Sequence, residues 1–250
     1  MRAMRASASQ PELWVCHLGT IDYRRALDAQ HHVQSLRQAN ELPDVLLTLD
    51  HPPVYTLGRR SAEGDLPMSE EACRARGIDV VPTDRGGKLT YHGPGQLVGY
   101  PIMRIDDVMR YVRTMEQAII AALADEGVNA GVREGLTGVW VDEAKIGSIG
   151  VHVSRGVTTH GFAVNVENDL QPFSWVVPCG LPGLAVTSVS HQRGERAGLA
   201  CFRRHVAHRF SEAHGRRQRL VTPARLGLGG LPLAPSRREG RVPSALALGA

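Results

Sequence analysis

The chain has 250 residues, 42% of them hydrophobic and 22% charged, enough apolar material to bury one sizeable core in a single domain. No apolar run reaches transmembrane length, no membrane partner is predicted, and with no secretory hydrophobic region ahead of four scattered cysteines a cytoplasmic location is expected. The formal charge of +4 does not argue for nucleic acid: seven arginines and one glutamate fall in residues 216–250, leaving −2 on the remainder.

The sequence therefore predicts a flexible start over residues 1–11, a folded unit over 12–214, and a disordered Arg/Pro/Gly-rich tail over 215–250. Residues 13–18 form a short apolar run suited to a strand, 22–38 read as a helix, and 44–49 as a second strand. His51-Pro52-Pro53 breaks the chain before a strand over 54–60 that ends on Arg59 and Arg60. A small helix over 69–76 and a strand over 78–81 lead into a glycine-rich segment, and 97–101 leaves it. The clearest helix spans 106–127 with Asp106 as its N-cap. Its Val108, Val112, Met115, Ile119 and Leu123 form one stripe to pack on a sheet, and Met109 and Met115 read as core filler. Strands follow over 138–141, 146–153, 157–166 and 173–177, and a helix over 199–213 closes the unit. Helices and strands interleaved early, then hairpins, indicate an α+β domain with a mixed sheet and no internal repeat.

The segment Arg85-Gly86-Gly87-Lys88-Leu89-Thr90-Tyr91-His92-Gly93-Pro94-Gly95-Gln96 is the most informative. Four glycines and a proline cannot form a helix interior, so this is a shaped loop. Glycine lets main-chain N–H groups approach a ligand while Arg85, Thr90, Tyr91 and His92 add polar contacts. Its spacing fits neither a dinucleotide fingerprint nor a phosphate-cradling loop, so no nucleotide site follows.

Lysine is scarce: Lys88 and Lys145 stand against 27 arginines. An arginine keeps its proton in a protein and a lysine can give it up, so a chain that otherwise chooses Arg has reason to keep Lys where an amine must move a proton. A solvated surface charge is the plain alternative for either. Among the cysteines, no metal-ligand spacing occurs, and neither a metal nor a cofactor is implied. Cys16 and Cys201 look like core positions and Cys73 like an inert residue of a short helix. Cys179 differs: between Trp175-Val176-Val177-Pro178 and Gly180-Leu181-Pro182-Gly183 it sits where a strand would end by presenting a thiol at a tight turn. A nucleophile needs such a seat, with N–H groups of the Cys179–Gly180 turn or of Gly161 available to an oxyanion.

The glycine loop, Lys145-Ile146-Gly147-Ser148-Ile149-Gly150, His160-Gly161-Phe162-Ala163-Val164-Asn165-Val166 and Pro178-Cys179-Gly180 together resemble the octanoyltransferases of lipoate biosynthesis, in order and across about residues 12–214; His51-Pro52-x-Val54-Tyr55-Thr56-x-Gly58-Arg59 fits as well. The resemblance implies the fold of biotin and lipoate protein ligases, a mixed, largely antiparallel sheet flanked by helices. It also implies transfer of an octanoyl or lipoyl group from acyl carrier protein to a lysine of lipoyl domains, either of 2-oxoacid dehydrogenase complexes or of glycine cleavage H protein. By the same resemblance Cys179 carries an acyl thioester and Lys145 assists it. Arg85, Gly86, Gly87, Lys88, Leu89, Thr90, Tyr91, His92, Ser148, Ile149, Gly150, Gly161, Phe162 and Ala163 then bind substrate.

The residues are compatible with that chemistry. One thioester replaces another and then yields a more stable amide, so no ATP is needed. Lys145 serves either as an ammonium beside a thiolate or as a neutral base. His92 or His160 is the competing base. An ATP-dependent lipoate or biotin-type ligase is the alternative enzyme, needing no cysteine, and a non-enzymatic acyl-binding or nucleic-acid-binding module is a further one. Arg59 and Arg60 are candidates for docking an acidic carrier protein.

Overall fold

The two longest helices begin where carboxylates meet their unpaired N–H groups. In the computed structural model, which describes residues 10–230, Asp22 accepts from the Arg24 and Arg25 amides ahead of α1 (Tyr23–Gln38). Asp107, one residue beyond the expected cap, accepts from Met109 and Arg110 ahead of α3 (Val108–Ala124). Shorter helices are α2 (Glu70–Ala75), capped by Ser69, and α4 (Val189–Arg193), which the sequence reading missed; α5 is Leu199–Ala213.

Eleven strands form two sheets among the described residues: β1 (Glu12–Thr20), β2 (Asp44–Asp50), β3 (Val54–Leu57), β4 (Asp79–Pro82), β5 (Thr90–His92), β6 (Gln96–Ile102), β7 (Gly131–Arg133), β8 (Leu136–Val141), β9 (Ala144–Ser154), β10 (Val157–Asn165) and β11 (Arg217–Leu220). The large sheet runs β11-β1-β2-β6-β10-β9-β8-β7 and the small one β4-β3-β5. β1 is parallel to β2 and β11, and every other neighbour in the large sheet is antiparallel. This is the expected mixed, largely antiparallel α+β architecture.

Period-two alternation sorts the core. Leu46, Leu97, Phe162 and Val164 face α3 and α5, while Val45, Leu47, Val98 and Tyr100 face α1. The small sheet makes a third cluster from Tyr55, Val80, Leu89, Tyr91, Phe173 and Val176.

Several expectations are corrected. Residues 173–177 are not a strand: Gln171–Trp175 form a 3₁₀ turn, which Pro172 near its start favours because it has no N–H to give a sheet. Met115 is fully buried, but Met109 is 64% exposed because the first turn of α3 projects past the sheet; Cys201 is only half-buried. The folded unit does not stop at 214. β11 pairs with β1, Arg217 and Arg219 meet Glu12, and Leu226 and Leu228 are buried against the α1 side. Residues 1–9 and 231–250, where the flexible start and most of the tail were expected, lie outside the described residues.

Candidate active site

A cavity of about 500 Å³ opens where the two sheets meet, within the usual size of a small-molecule site. Every residue singled out above for catalysis or substrate binding lines it except Tyr91. Alternation along β5 explains the exception. Thr90 and His92 face the cavity, so Tyr91 points the other way and packs on Tyr55 and Phe173 with ring centroids 5.6 and 5.5 Å apart.

Lys145 lies on β9, a strand with neighbours on both sides, and is 6% exposed. Its Nζ donates to Thr137 O at 3.0 Å, stands 5.2 Å from the Trp140 ring centre, and lies 3.3 Å from Cys179 Sγ. Room for this side chain comes from Gly138. Its φ is +125°, and a Cβ there would sit 2.7 Å from Lys145 Cε and 2.6 Å from Gly147 O. The buried Glu116 of α3 accepts the Gly138 N–H at 2.9 Å and fixes this hairpin to the helix layer.

Cys179 is held differently. The strand expected to present it is absent; it occupies a single 3₁₀ turn, Pro178–Gly180, with φ +58°, a left-handed conformation uncommon for a residue with a Cβ. Its N–H donates to Leu89 O at 3.0 Å and that of Gly180 to Val177 O at 3.2 Å. The turn amides proposed for an oxyanion are therefore already engaged. The amides of Gly87, Lys88 and Leu89, residues that line the cavity beside the turn, donate to no acceptor among the described residues.

Arg85 is 7% exposed and faces neutral acceptors: Nη2 donates to Thr56 O and Oγ1, both at 2.7 Å, and Nη1 to Gly86 O at 3.1 Å. Burial pushes its pKa down, yet a guanidinium keeps its charge, so the cavity wall holds a fixed cation. Around it lie Tyr23, Tyr100, His51, His92 and His160. Burial drives His92 well below the ordinary histidine range and His51 down to about 4. Burial also lowers His160, against the pull of Asp84, whose Oδ1 lies 2.6 Å from its Nε2; that hydrogen bond brings Asp84 down to about 2. His92 Nδ1 is taken by Gln96 Oε1 at 2.7 Å. The close polar partner of the sulfur is thus the amine, not either competing imidazole.

The reading of the sequence missed several lining residues: Tyr23, Tyr100, Val108, Val112, Leu136 and Thr137. Val112 joins the core stripe of α3 as expected and Val108, 42% exposed, does not; both also roof the cavity. Tyr23 and Tyr100 carried no motif. Of Arg59 and Arg60, only Arg60 lines the mouth.

Glu126, Cys201 and His205 also cluster, with ligand-type atoms within 4.8 Å of one another, but Arg193 pairs with the Glu126 carboxylate and His205 faces it at 3.0 Å, so an ion pair accounts for the group. No helix among the described residues is long and apolar enough to cross a membrane.

Residues 22–211 match the family model described as the lipoyl protein ligase A/B catalytic domain. The chain is 48% identical to an octanoyltransferase of Solibacter usitatus over 77% of its own length and 90% of that protein. It is 46% identical to one of Mycobacterium marinum, over 77% and 84%. The fold is that of solved lipoate-protein ligases. A bipartite ligase from Thermoplasma acidophilum superposes with TM-score 0.69 at 21% identity, covering 85% of this chain and 87% of that one. A lipoate-protein ligase A bound with ATP gives 0.67 at 19%, covering 88% and 92%. The chain belongs to the lipoyl protein ligase A/B catalytic domain family and, within it, to the octanoyltransferases.

Proposed function

We propose that this octanoyltransferase works through an acyl thioester on Cys179, moving an octanoyl group from acyl carrier protein to a lysine amine of a lipoyl domain. The observation that carries the reading is the 3.3 Å approach of Lys145 Nζ to Cys179 Sγ inside a cavity with an apolar wall. Val108, Val112, Leu136, Ile149, Val151 and Phe162 supply that wall. At about 0.8 kcal/mol per buried methylene, an alkyl tail of about seven carbons gains at most about 5–6 kcal/mol there.

In the first half-reaction the sulfur attacks the carbonyl of the donor thioester while Lys145 holds or takes the thiol proton. The oxyanion that develops meets the unengaged amides of the Gly87–Leu89 loop, with the Arg85 cation near by. Collapse expels the carrier's thiolate, which leaves as a thiol with the proton from Lys145, and the acyl group remains on sulfur. In the second half, the acceptor amine attacks that thioester. Its proton passes to Lys145, the C–S bond breaks, and the Cys179 sulfur is regenerated as an amide forms. Neither half consumes ATP. His92 and His160, tied to Gln96 and Asp84, shape the cavity.

The carrier protein is acidic as a class, and Arg60 at the mouth with Arg59 beside it offers opposite charge. The acceptor is a lipoyl domain of a 2-oxoacid dehydrogenase complex or glycine cleavage H protein, and the enzyme works in the cytoplasm.

Intact-mass measurement after mixing with octanoyl-carrier protein tests the reading. A hydroxylamine-labile octanoyl adduct forms on the wild type and not on Cys179→Ser, without ATP. Transfer that requires ATP and survives Cys179→Ala would replace this mechanism with an acyl-adenylate one.

A further inference from the structure

The turn that carries Cys179 is crossed by the side chain of the only other lysine in the chain. Gly180 has φ +67°, and a Cβ built on it would overlap Cδ, Cε and Nζ of Lys88, so the lysine stem lies against the turn. Its ammonium then reaches Asp65 Oδ1 at 3.4 Å. The Asp65 side chain is 6% exposed and that of Lys88 36%. The other Asp65 oxygen accepts the Ala62 N–H at 2.9 Å, and the Asp65 carbonyl accepts the Val177 N–H at 3.0 Å. Gly87 O takes the Arg60 N–H at 3.1 Å, and Leu89 O takes that of Cys179. Three loops thus close a ring around the nucleophile's backbone, and the Lys88–Asp65 pair is its side-chain bar. Beyond the turn, Pro182 and Gly183 are exposed.

A left-handed cysteine persists only where its surroundings impose that conformation. We infer that the Lys88–Asp65 pair clamps the Cys179 turn in its left-handed form, making both of them positioning residues for acyl transfer. The inference rests on reading Cys179 as the nucleophile. Removing the ammonium leaves Asp65 a nearly buried carboxylate without its cation, which must turn toward water and take the loop carrying the Val177 contact with it.

Single-turnover acylation by octanoyl-carrier protein tests this with Lys88→Met, Asp65→Asn, their double variant and Lys88→Arg. The expected result is a fall of about tenfold in the acylation rate constant at saturating donor for each single variant, with donor KM within about twofold, as a displaced reacting group produces. The double variant falls no further, because the pair acts as one unit. Lys88→Arg, which keeps the charge, recovers most of the loss. A change confined to donor KM would overturn the clamp and make Lys88 a donor contact. Additive losses in the double variant would overturn it as well. So would a shift in the pH profile of Cys179 alkylation in Lys88→Met but not in Asp65→Asn, which would make Lys88 a charge acting on sulfur. If Asp65→Asn does not fold, Lys88→Met and Lys88→Arg decide alone, through the KM and kcat split and the rescue. Wild-type enzyme that forms no thioester sinks the mechanism above; equal acylation rates in wild type and variants sink only the clamp.

Discussion

The sulfur and the amine of the proposed reacting pair are held by opposite means. Lys145 belongs to β9, paired with β8 and β10, and its own backbone is tied to the Ala185–Thr187 segment by two further hydrogen bonds. Cys179 sits on one short turn between loops, at φ +58°, held by contacts to Leu89, Val177 and the Lys88–Asp65 bar. The amine is therefore placed by the sheet and the sulfur by its neighbours. A substitution on the sheet side removes one function and leaves the site's shape, whereas one on the loop side moves the sulfur itself.

The largest effect tests whether the sulfur is the acyl carrier at all. Cys179→Ala retains its fold and loses octanoyl transfer by about 10⁴-fold or more, with no adduct by intact mass; transfer within tenfold of wild type would end the comparison. Next in size, Lys145→Met keeps the stem over Trp140 and removes the amine. It lowers transfer by about 10²–10⁴-fold, as loss of an acid–base group does, while the thermal midpoint moves by only a few degrees. A collapse of the midpoint with it would show that the strand depends on the amine, contrary to the picture of a sheet-placed group.

The sheet side also predicts an acid sensitivity. His51 Nδ1 donates to Ile21 O at 2.7 Å, which leaves Nε2 to accept from the Tyr100 hydroxyl at 2.7 Å, an arrangement open only to the neutral ring. Burial lowers its folded-state pKa to about 4, against about 6.5 in an unfolded chain. Above pH ~6.5 both states are neutral and the group has no effect. As pH falls through that value the unfolded chain takes up the proton first, and stability is lost progressively until about pH 4, by up to about 3 kcal/mol. Chemical denaturation across pH 7 to 4 measures this, and His51→Gln flattens that part of the profile. An unchanged slope in the variant would remove His51 as its source.

What the sequence shows of this site follows from how each part is built. The glycine loop, the Lys145 strand and the Cys179 turn are local in sequence and carry rare residues, so they stand out before folding, and the fold brings all three to one cavity. α1 and α5 are legible because their caps or apolar period are strong. The small sheet's partner segment is not: the apolar residues Phe173 to Val177 look like a strand, and only Pro172 hints that they coil over Tyr55 and Tyr91. Asp65 and Glu116 carry no motif, since a buried carboxylate acquires meaning only from the loop or hairpin that folds onto it. β11 hides in an arginine-rich stretch because an edge strand needs only one neighbour and leaves its charged side chains in water.

The smallest effect concerns the wall that neither holder of the pair supplies. Val108 and Val112 project from the first turns of α3 over the cavity, so on the proposed function their volume would bound the acyl chain. Val112, 8% exposed, is the deeper of the two. Replacing it with Phe fills space that the end of the octanoyl tail would use. At about 0.8 kcal/mol per methylene, each carbon pushed out costs about fourfold in kcat/KM. Val112→Phe therefore moves the preference among hexanoyl, octanoyl and decanoyl donors toward the shorter chain by about four- to sixteenfold, while the acylation rate with the best donor stays near wild type. If all three donors slow equally, α3 supports the turn rather than measuring the chain, and the separation between the wall and the reacting pair is lost.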